Sequence, residues 1–185
     1  MASDIVKNWF GDKFSTLAPE LQRLHTHGGV LVGDVNVSVG RGISGAIGRR
    51  LSRKLNLPPA GSNQLAVTIS HSDSALHWDR NFNNSTEMKS TFYPVGTIND
   101  GYWIEKTGPL HMKLTVDIKN SGWYWRCLGF KLFGLPLPVW LFPESQAYKY
   151  IDNGYYKFFV GFTAPIVGQL VSYSGELEEA SLHYS

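Results

Sequence analysis

The string Trp78-Asp79-Arg80-Asn81-Phe82 carries the side chains best suited to chemistry in this sequence. In a strand, Trp78, Arg80 and Phe82 would share one face, because successive strand side chains point to opposite sides. A guanidinium between two aromatic rings on a core-facing surface needs a carboxylate or a ligand anion as its partner. Glu105 is the candidate carboxylate, which predicts an Arg80–Glu105 pair on neighbouring strands. The pair could be structural, or it could be a polar anchor at the bottom of an apolar pocket.

The histidines and the single cysteine show no catalytic or metal-binding pattern. His25 and His27 would lie on one side of an extended segment, but a metal site needs three or four ligands and no spacing links the other histidines to them. No nucleophile elbow, Ser-His-Asp signature or P-loop is present. We therefore predict no metal, no cofactor and no catalytic residue. Enzymatic activity is left open, and the sequence features argue against it.

The segment Gly40 to Gly45 is a literal G-x-G-x-x-G between a predicted strand and a predicted helix. In a dinucleotide-binding fold, these glycines would let backbone amides approach a pyrophosphate. The preceding strand alternates in polarity, however, whereas the strands of a parallel sheet are buried on both faces. The remainder of the chain also reads as hairpins, so we expect no dinucleotide here. Anion binding at Arg41 is the weaker alternative.

Two helical regions are predicted in the first third of the chain. Apolar residues recur at helical spacing over residues 4–25, and Gly11 and Pro19 are expected to divide that region into two short helices. Residues 41–56 predict a further helix with an apolar stripe and a basic remainder. The pattern is typical of a solvated helix packed on a sheet. Weak peripheral contact of this basic helix with an anionic membrane is the alternative. The apolar stripe consists of Ile43, Ile47, Leu51 and Leu55.

Short strand-like segments follow one another from residue 64 onward, separated by turn residues such as Asn120-Ser121-Gly122. An earlier strand spans residues 30–39. Along residues 110–119, apolar and polar side chains alternate, which predicts one face on a core and one in water. We predict an α+β, mostly β fold: a strongly curved antiparallel sheet or open β-barrel packed against N-terminal helices, in a single domain over residues 1–185. The later segments are 64–71, 75–82, 86–95, 102–106, 110–119, 122–132, 145–151, 155–163 and 168–177.

Composition narrows the range of functions. A net charge of +2 gives no electrostatic reason to expect nucleic acid as a partner. The longest apolar run, residues 132–142, contains Pro136 and Pro138 and is too short to be a transmembrane segment. Within this proline-rich loop, Trp140 could line the mouth of a pocket. One cysteine, Cys127, and the lack of a signal-peptide pattern favour a cytoplasmic location.

Several strings, in order along the chain, resemble one family. With these motifs, residues 10–178 are similar to the bacterial domain-of-unknown-function 4166 family. The resemblance implies an accessory module and favours binding over catalysis. It also marks His25, Trp78, Arg80, Glu105 and the Gly-Leu-Pro-Leu-Pro loop as positions of the family pattern. The strings are Leu17-Ala18-Pro19-Glu20-Leu21, Leu57-Pro58-Pro59-Ala60-Gly61, Trp78-Asp79-Arg80-Asn81-Phe82, Glu105-Lys106-Thr107-Gly108-Pro109, Gly134-Leu135-Pro136-Leu137-Pro138 and Tyr173-Ser174-Gly175-Glu176-Leu177.

The sequence thus supports three functions in descending order. The first is a binding module for an apolar or lipid-like small ligand. The second is a protein-interaction or scaffold domain without a small ligand. The third is an enzyme that uses the Arg80/Glu105 region. The candidate ligand-binding residues are His25, Trp78, Arg80, Glu105 and Trp140.

Overall fold

A computed structural model of the chain describes residues 4–137 and 144–180. The N-terminal helical region is divided at Gly11, which has a positive φ of 55°, and at Pro19, which begins the next helix, but it forms three segments and not the predicted two. Its parts are α1 (Ile5–Phe10), a 3₁₀ helix (Gly11–Thr16) and α2 (Pro19–His27). Helix α3 spans Gly42–Lys54. Within the described residues, no helix is both long and apolar enough to cross a membrane.

The strands form one continuous antiparallel sheet in the described part of the chain, in the order β6-β5-β4-β3-β2-β1-β11-β10-β9-β7-β8. The strands are β1 (Gly29–Val39), β2 (Gly61–His71), β3 (Leu76–Phe82), β4 (Thr86–Val95), β5 (Tyr102–Thr107), β6 (Leu110–Lys119), β7 (Gly122–Leu132), β8 (Leu135–Leu137), β9 (Glu144–Asp152), β10 (Tyr155–Ala164) and β11 (Gly168–Glu179).

An additional pairing between β6 and β7 closes the sheet into a barrel of ten strands, with β8 attached only to β7. A tight turn makes this pairing possible, since Asn120 and Ser121 both adopt positive φ values, 48° and 59°. The predicted antiparallel, mostly β architecture with N-terminal helices is confirmed. The barrel is closed rather than open, and closure leaves no long unpaired strand edge.

The N-terminal helices cover the end of the barrel that carries the β4–β5 and β6–β7 turns. Trp9 packs on Trp103 with ring centroids 5.4 Å apart, and Phe10 packs on Trp123 at 4.6 Å. The indole Nε1 of Trp9 donates to the Val95 carbonyl at 3.2 Å. Full burial of one such side chain stabilises the fold by about 1.5–3 kcal/mol. These helices therefore belong to the core.

Helix α3 packs beside β11 and β1 largely through small residues, and only Leu51 and Leu55 of its predicted apolar stripe contribute to the core. Ser44, Gly45, Gly48 and Ser52 are its buried residues. A Cβ atom at Gly48 would lie 1.9 Å from the Leu170 carbonyl oxygen, so only glycine allows this close approach. Consequently Ile43 and Ile47 remain 72% and 45% exposed. The apolar stripe implied that Ile43 and Ile47 would pack on the sheet, and that interpretation was wrong.

Candidate functional site

The barrel encloses a narrow interior cavity. Its volume is about 60 Å³. A single water needs roughly 10–15 Å³, so the cavity could hold several waters or a slender molecule. Much of the wall is apolar and includes Phe92, Met112, Leu114, Phe158, Val160 and Phe162.

A chain of hydrogen bonds connects the two charged residues that the sequence singled out. Arg80 Nη1 donates to Ser90 Oγ at 2.9 Å, Ser90 Oγ lies 2.5 Å from Thr107 Oγ1, and Thr107 Oγ1 donates to Glu105 Oε1 at 2.8 Å. Because the single hydroxyl proton of Thr107 is used on Glu105, Ser90 must donate to Thr107. All four side chains are therefore linked in one direction, from guanidinium to carboxylate.

This arrangement corrects the prediction that Arg80 and Glu105 lie on neighbouring strands as a direct pair. Strand β4 runs between β3 and β5, and Ser90 on β4 pairs with Thr107 on β5. The two hydroxyls therefore occupy the position that a direct ion pair would need. The predicted strand over residues 86–95 already lay between the segments of Arg80 and Glu105, so pairing of those two segments would have required this strand to lie elsewhere in the sheet.

Burial governs the charge of Glu105, which is 9% exposed. Desolvation raises the pKa of this carboxyl group, while the charge of Arg80 and the hydroxyls of Thr107 and Ser90 act in the opposite direction. The linked hydroxyls thus stabilise the carboxylate without removing the cost of burying it. A low-dielectric interior of this kind strengthens the interaction of each remaining charge with a ligand.

Arg80 and Tyr156 place polar atoms at the cavity that have at most one hydrogen-bond partner per side chain among the described residues. Arg80 is 7% exposed, and within the described residues its five N–H donors make one hydrogen bond, to Ser90. Its guanidinium also lies 5.5 Å from the Trp78 ring. The buried hydroxyl of Tyr156 has no hydrogen-bond partner among the described residues. Burial raises its pKa well above the usual value, with Arg80 opposing, so the hydroxyl is protonated and can donate.

Lys149 is a second basic group in the wall and is 2% exposed. Its Nζ lies 2.6 Å from His25 Nε2, and 3.8 Å and 3.9 Å from the ring centroids of Trp78 and Trp123. Burial lowers the pKa of Lys149 well below its ordinary value, the charge of Arg80 lowers it further, and Glu105 acts in the opposite direction. Two desolvated tryptophan faces favour the ammonium by about 2 kcal/mol each. Burial of an unpaired ion costs several kcal/mol and acts in the opposite direction, towards the neutral amine.

His25 is also buried, at 1% exposure, at the contact between α2 and the barrel wall. Its ring packs against Trp123 and Trp78, with centroids 4.7 Å and 5.7 Å away. Desolvation lowers its pKa well below the usual value, and the charges of Lys149 and His71 act in the same direction. His25 is therefore a neutral imidazole whose Nε2 faces the Lys149 amine.

A comparison with protein families matches residues 17–177 to the model described as a domain of unknown function, DUF4166. This chain belongs to the DUF4166 family. The matched region begins just before α2 and ends within β11, so it contains the whole barrel wall around the cavity. No curated protein matches the sequence.

The DUF4166 barrel brings four of the five predicted site residues together. His25, Trp78, Arg80 and Glu105 lie within one interior network of rings and polar groups. Trp140 lies outside the described residues. Within the residues described, no cluster of three or more His, Cys, Asp or Glu side chains could hold a metal ion.

The sequence did not single out Lys149, Tyr156, Ser90 or Thr107. In β9, Lys149 alternates with Tyr148 and Tyr150, and apolar character alone would direct the tyrosines inward. They instead form an outer aromatic stack, in which the Tyr148 ring lies 5.2 Å from Tyr124 and 5.5 Å from Phe159. Lys149 lies two residues after Ala147 and two before Ile151, so the three side chains share one face of the strand. This alternation was the only signal in the sequence for the inward position of Lys149.

Proposed function

We propose that this DUF4166 domain binds a slender apolar molecule with a carboxylate head group inside its barrel. The observation that carries the proposal is Arg80: a buried guanidinium with one hydrogen bond to the described residues, in the wall of an apolar cavity. Buried polar groups without partners are rare in folded proteins. A ligand that supplies acceptors is the simplest reason for such a group to persist.

The chemistry of the head group follows from the donors that face the cavity. A guanidinium presents N–H groups in a planar fork that matches the two oxygens of a carboxylate. Tyr156 can donate one further hydrogen bond through its unpartnered hydroxyl. Hydrogen bonds to charged groups contribute about 1.5–3 kcal/mol each, which is enough for an acid to be preferred over an alcohol of the same length.

The shape of the ligand follows from the apolar wall and the limited space. Aromatic and aliphatic side chains surround the cavity, so an alkyl chain would be desolvated on every side. The small volume of the cavity, about 60 Å³, favours an unbranched chain over a ring system. We therefore take medium-chain fatty acids as the first class to test.

Displacement of a fluorescent fatty acid by unlabelled competitors tests this proposal. Octanoate, octanol and octylamine share one chain length and differ in head-group charge. We expect octanoate to compete best and octylamine worst, because Arg80 attracts an anion and repels a cation. In the double variant Arg80→Met/Glu105→Gln, the preference for octanoate over octanol should fall by roughly tenfold or more.

The double variant removes both buried charges together, so neither is left without its counter-charge. A matched control is Arg126→Met, since Arg126 pairs with Asp117 on the exposed surface and lies away from the cavity. Circular dichroism shows whether each variant is folded. If no apolar probe binds the folded wild-type protein, the scaffold alternative replaces the binding module.

The exposed face of α3 supports a second candidate function, contact with an anionic membrane surface. Ile43, Ile47, Arg50 and Lys54 follow one another at helical spacing on a single exposed face. The helix contains no acidic residue. Exposed apolar side chains beside cations are typical of helices that lie in the interface of an anionic bilayer. Such contact would bring the barrel close to a source of apolar ligands.

A further inference from the structure

The amine of Lys149 is placed as a nucleophile and not as a member of an ion pair. Among the described residues, no carboxylate oxygen lies within ion-pair distance of its Nζ. The amine lies in the cavity wall, between the rings of Trp78 and Trp123, and contacts one polar atom, Nε2 of His25. A lysine buried for structure alone would be expected to have a carboxylate partner.

The Nδ1–H tautomer of His25 leaves the reactive electron pair of Lys149 available. When Lys149 donates to His25 Nε2, the neutral imidazole carries its own proton on Nδ1, and the amine lone pair has no role within the protein. The pKa of this amine is lowered mainly by burial, so its neutral form is more populated than that of an exposed lysine. Desolvated lysines of this kind react with carbonyl carbons.

We propose that Lys149 captures an apolar aldehyde in the cavity as a covalent Schiff base. The inference rests on the proposed binding of slender apolar molecules, and it adds a reactive class of ligand and the atom that receives it. An aldehyde has the same alkyl body as the acid, and its carbonyl oxygen accepts hydrogen bonds as a carboxylate oxygen does. The wall that holds the acid therefore suits the aldehyde as well.

The reaction balances without an external oxidant or reductant. The nitrogen lone pair attacks the carbonyl carbon, a carbon–nitrogen bond forms, and one amine proton passes to the former carbonyl oxygen. Departure of that oxygen as water, with the second amine proton, leaves the imine. His25 Nε2, 2.6 Å from Nζ, is positioned to accept a proton from the attacking nitrogen and return it to the leaving hydroxyl.

Reductive trapping with octanal tests the proposal. The folded protein is incubated with octanal at neutral pH, reduced with borohydride and analysed by intact and peptide mass spectrometry. We expect one octyl adduct per chain, located at Lys149, at aldehyde concentrations that leave the exposed lysines almost unmodified. Excess octanoate should slow the labelling, because both molecules would occupy the same cavity.

Two variants separate the reaction at Lys149 from general lysine chemistry. Lys149→Met should abolish the specific adduct, and Lys113→Met, which removes an exposed lysine on β6, should leave it unchanged. His25→Gln should reduce the labelling rate more than tenfold while the adduct stays on Lys149. Peptide mapping of the wild-type protein gives the site even if a variant does not fold.

An octyl group spread evenly over the exposed lysines, with no preference for Lys149, would overturn the inference. If octanoate still displaces the fluorescent fatty acid in that case, the binding function stands and only the covalent step is wrong. If neither octanoate nor octanal engages the cavity, both proposals are wrong. A specific adduct that octanoate cannot slow would contradict the shared cavity.

Discussion

At the scale of single residues, this protein keeps Arg80, Glu105 and Lys149 inside an apolar barrel without a direct ion pair between any two of them. Arg80 reaches Glu105 only through the hydroxyls of Ser90 and Thr107. Lys149 contacts a neutral imidazole, that of His25. Each group costs free energy to bury, and that cost is offset fully only when a partner is supplied. In the proposed function, the carboxylate of the bound acid supplies a partner to Arg80.

The stability of the protein should depend on pH through Lys149. Because the folded state lowers the pKa of this amine, the unfolded chain binds a proton that the native state does not, over the range from the folded pKa up to about 10.4. The free energy of unfolding should therefore rise with pH across that range, with a contribution of up to about 1.4 kcal/mol per pH unit. Urea unfolding at a series of pH values measures it.

The Lys149→Met variant should lack this contribution, so the difference in stability between variant and wild type should shrink as pH rises towards 10. Lys113→Met serves as the control, because an exposed lysine should leave the profile unchanged. Parallel profiles for wild type and Lys149→Met would mean that the ammonium is retained in its cage of tryptophan rings.

At the scale of elements, α3 has two faces with different tasks. Its small residues allow close packing against β11, where Gly48 approaches the Leu170 carbonyl. Its larger apolar residues, Ile43 and Ile47, are left exposed beside Arg50 and Lys54. Leu55, directly after the helix, lies in the cavity wall. The α3 segment therefore contributes side chains both to the outer surface and, through Leu55, to the cavity wall.

Binding of the protein to vesicles tests the exposed face of α3. We expect cosedimentation with phosphatidylcholine vesicles that contain phosphatidylserine, and little with pure phosphatidylcholine. Ile43→Ser/Ile47→Ser should weaken binding to the anionic vesicles, and Arg50→Gln/Lys54→Gln should weaken it by roughly fivefold per charge removed. Lys106→Gln is the control on an exposed strand position. Equal binding by all these variants, or none by the wild type, would exclude a membrane role and favour an acidic protein partner.

The buried face of an element could be predicted from the sequence where apolar residues recur with a clear period. It could not be predicted where close contacts determine which face is buried. The alternation along β6 correctly placed Leu110, Met112 and Leu114 in the core. The buried face of α3 was missed because backbone proximity, not hydrophobicity, selects Gly45 and Gly48. The inward position of Lys149 was missed because the stacking of Tyr148 on Tyr124 and Phe159 reverses the expected face of β9. Such contacts join segments far apart in sequence.

At the scale of the whole molecule, the barrel has two unlike ends. The N-terminal helices cover one end with buried aromatic rings, including Trp9 and Phe10. The other end carries α3 and the β7–β8 turn, where Lys54 lies 5.6 Å from the ring of exposed Phe133. The closed end holds His25 and Lys149 against the covering helices. In the proposed function, an apolar chain would therefore enter from the α3 end.

Carbon-13 NMR of octanoate labelled at its carboxyl carbon tests the central claim most directly. With the wild-type protein we predict a second carboxyl resonance, distinct from that of the free acid, because the bound head group lies beside Arg80 in a low-dielectric interior. The Tyr156→Phe variant should fold at least as stably, since it loses an unpartnered buried hydroxyl, but should shift the bound resonance and weaken binding. Arg80→Met/Glu105→Gln should lose the bound resonance, and Arg126→Met should keep it. A spectrum that shows only the free acid in the presence of excess folded wild-type protein would contradict the account.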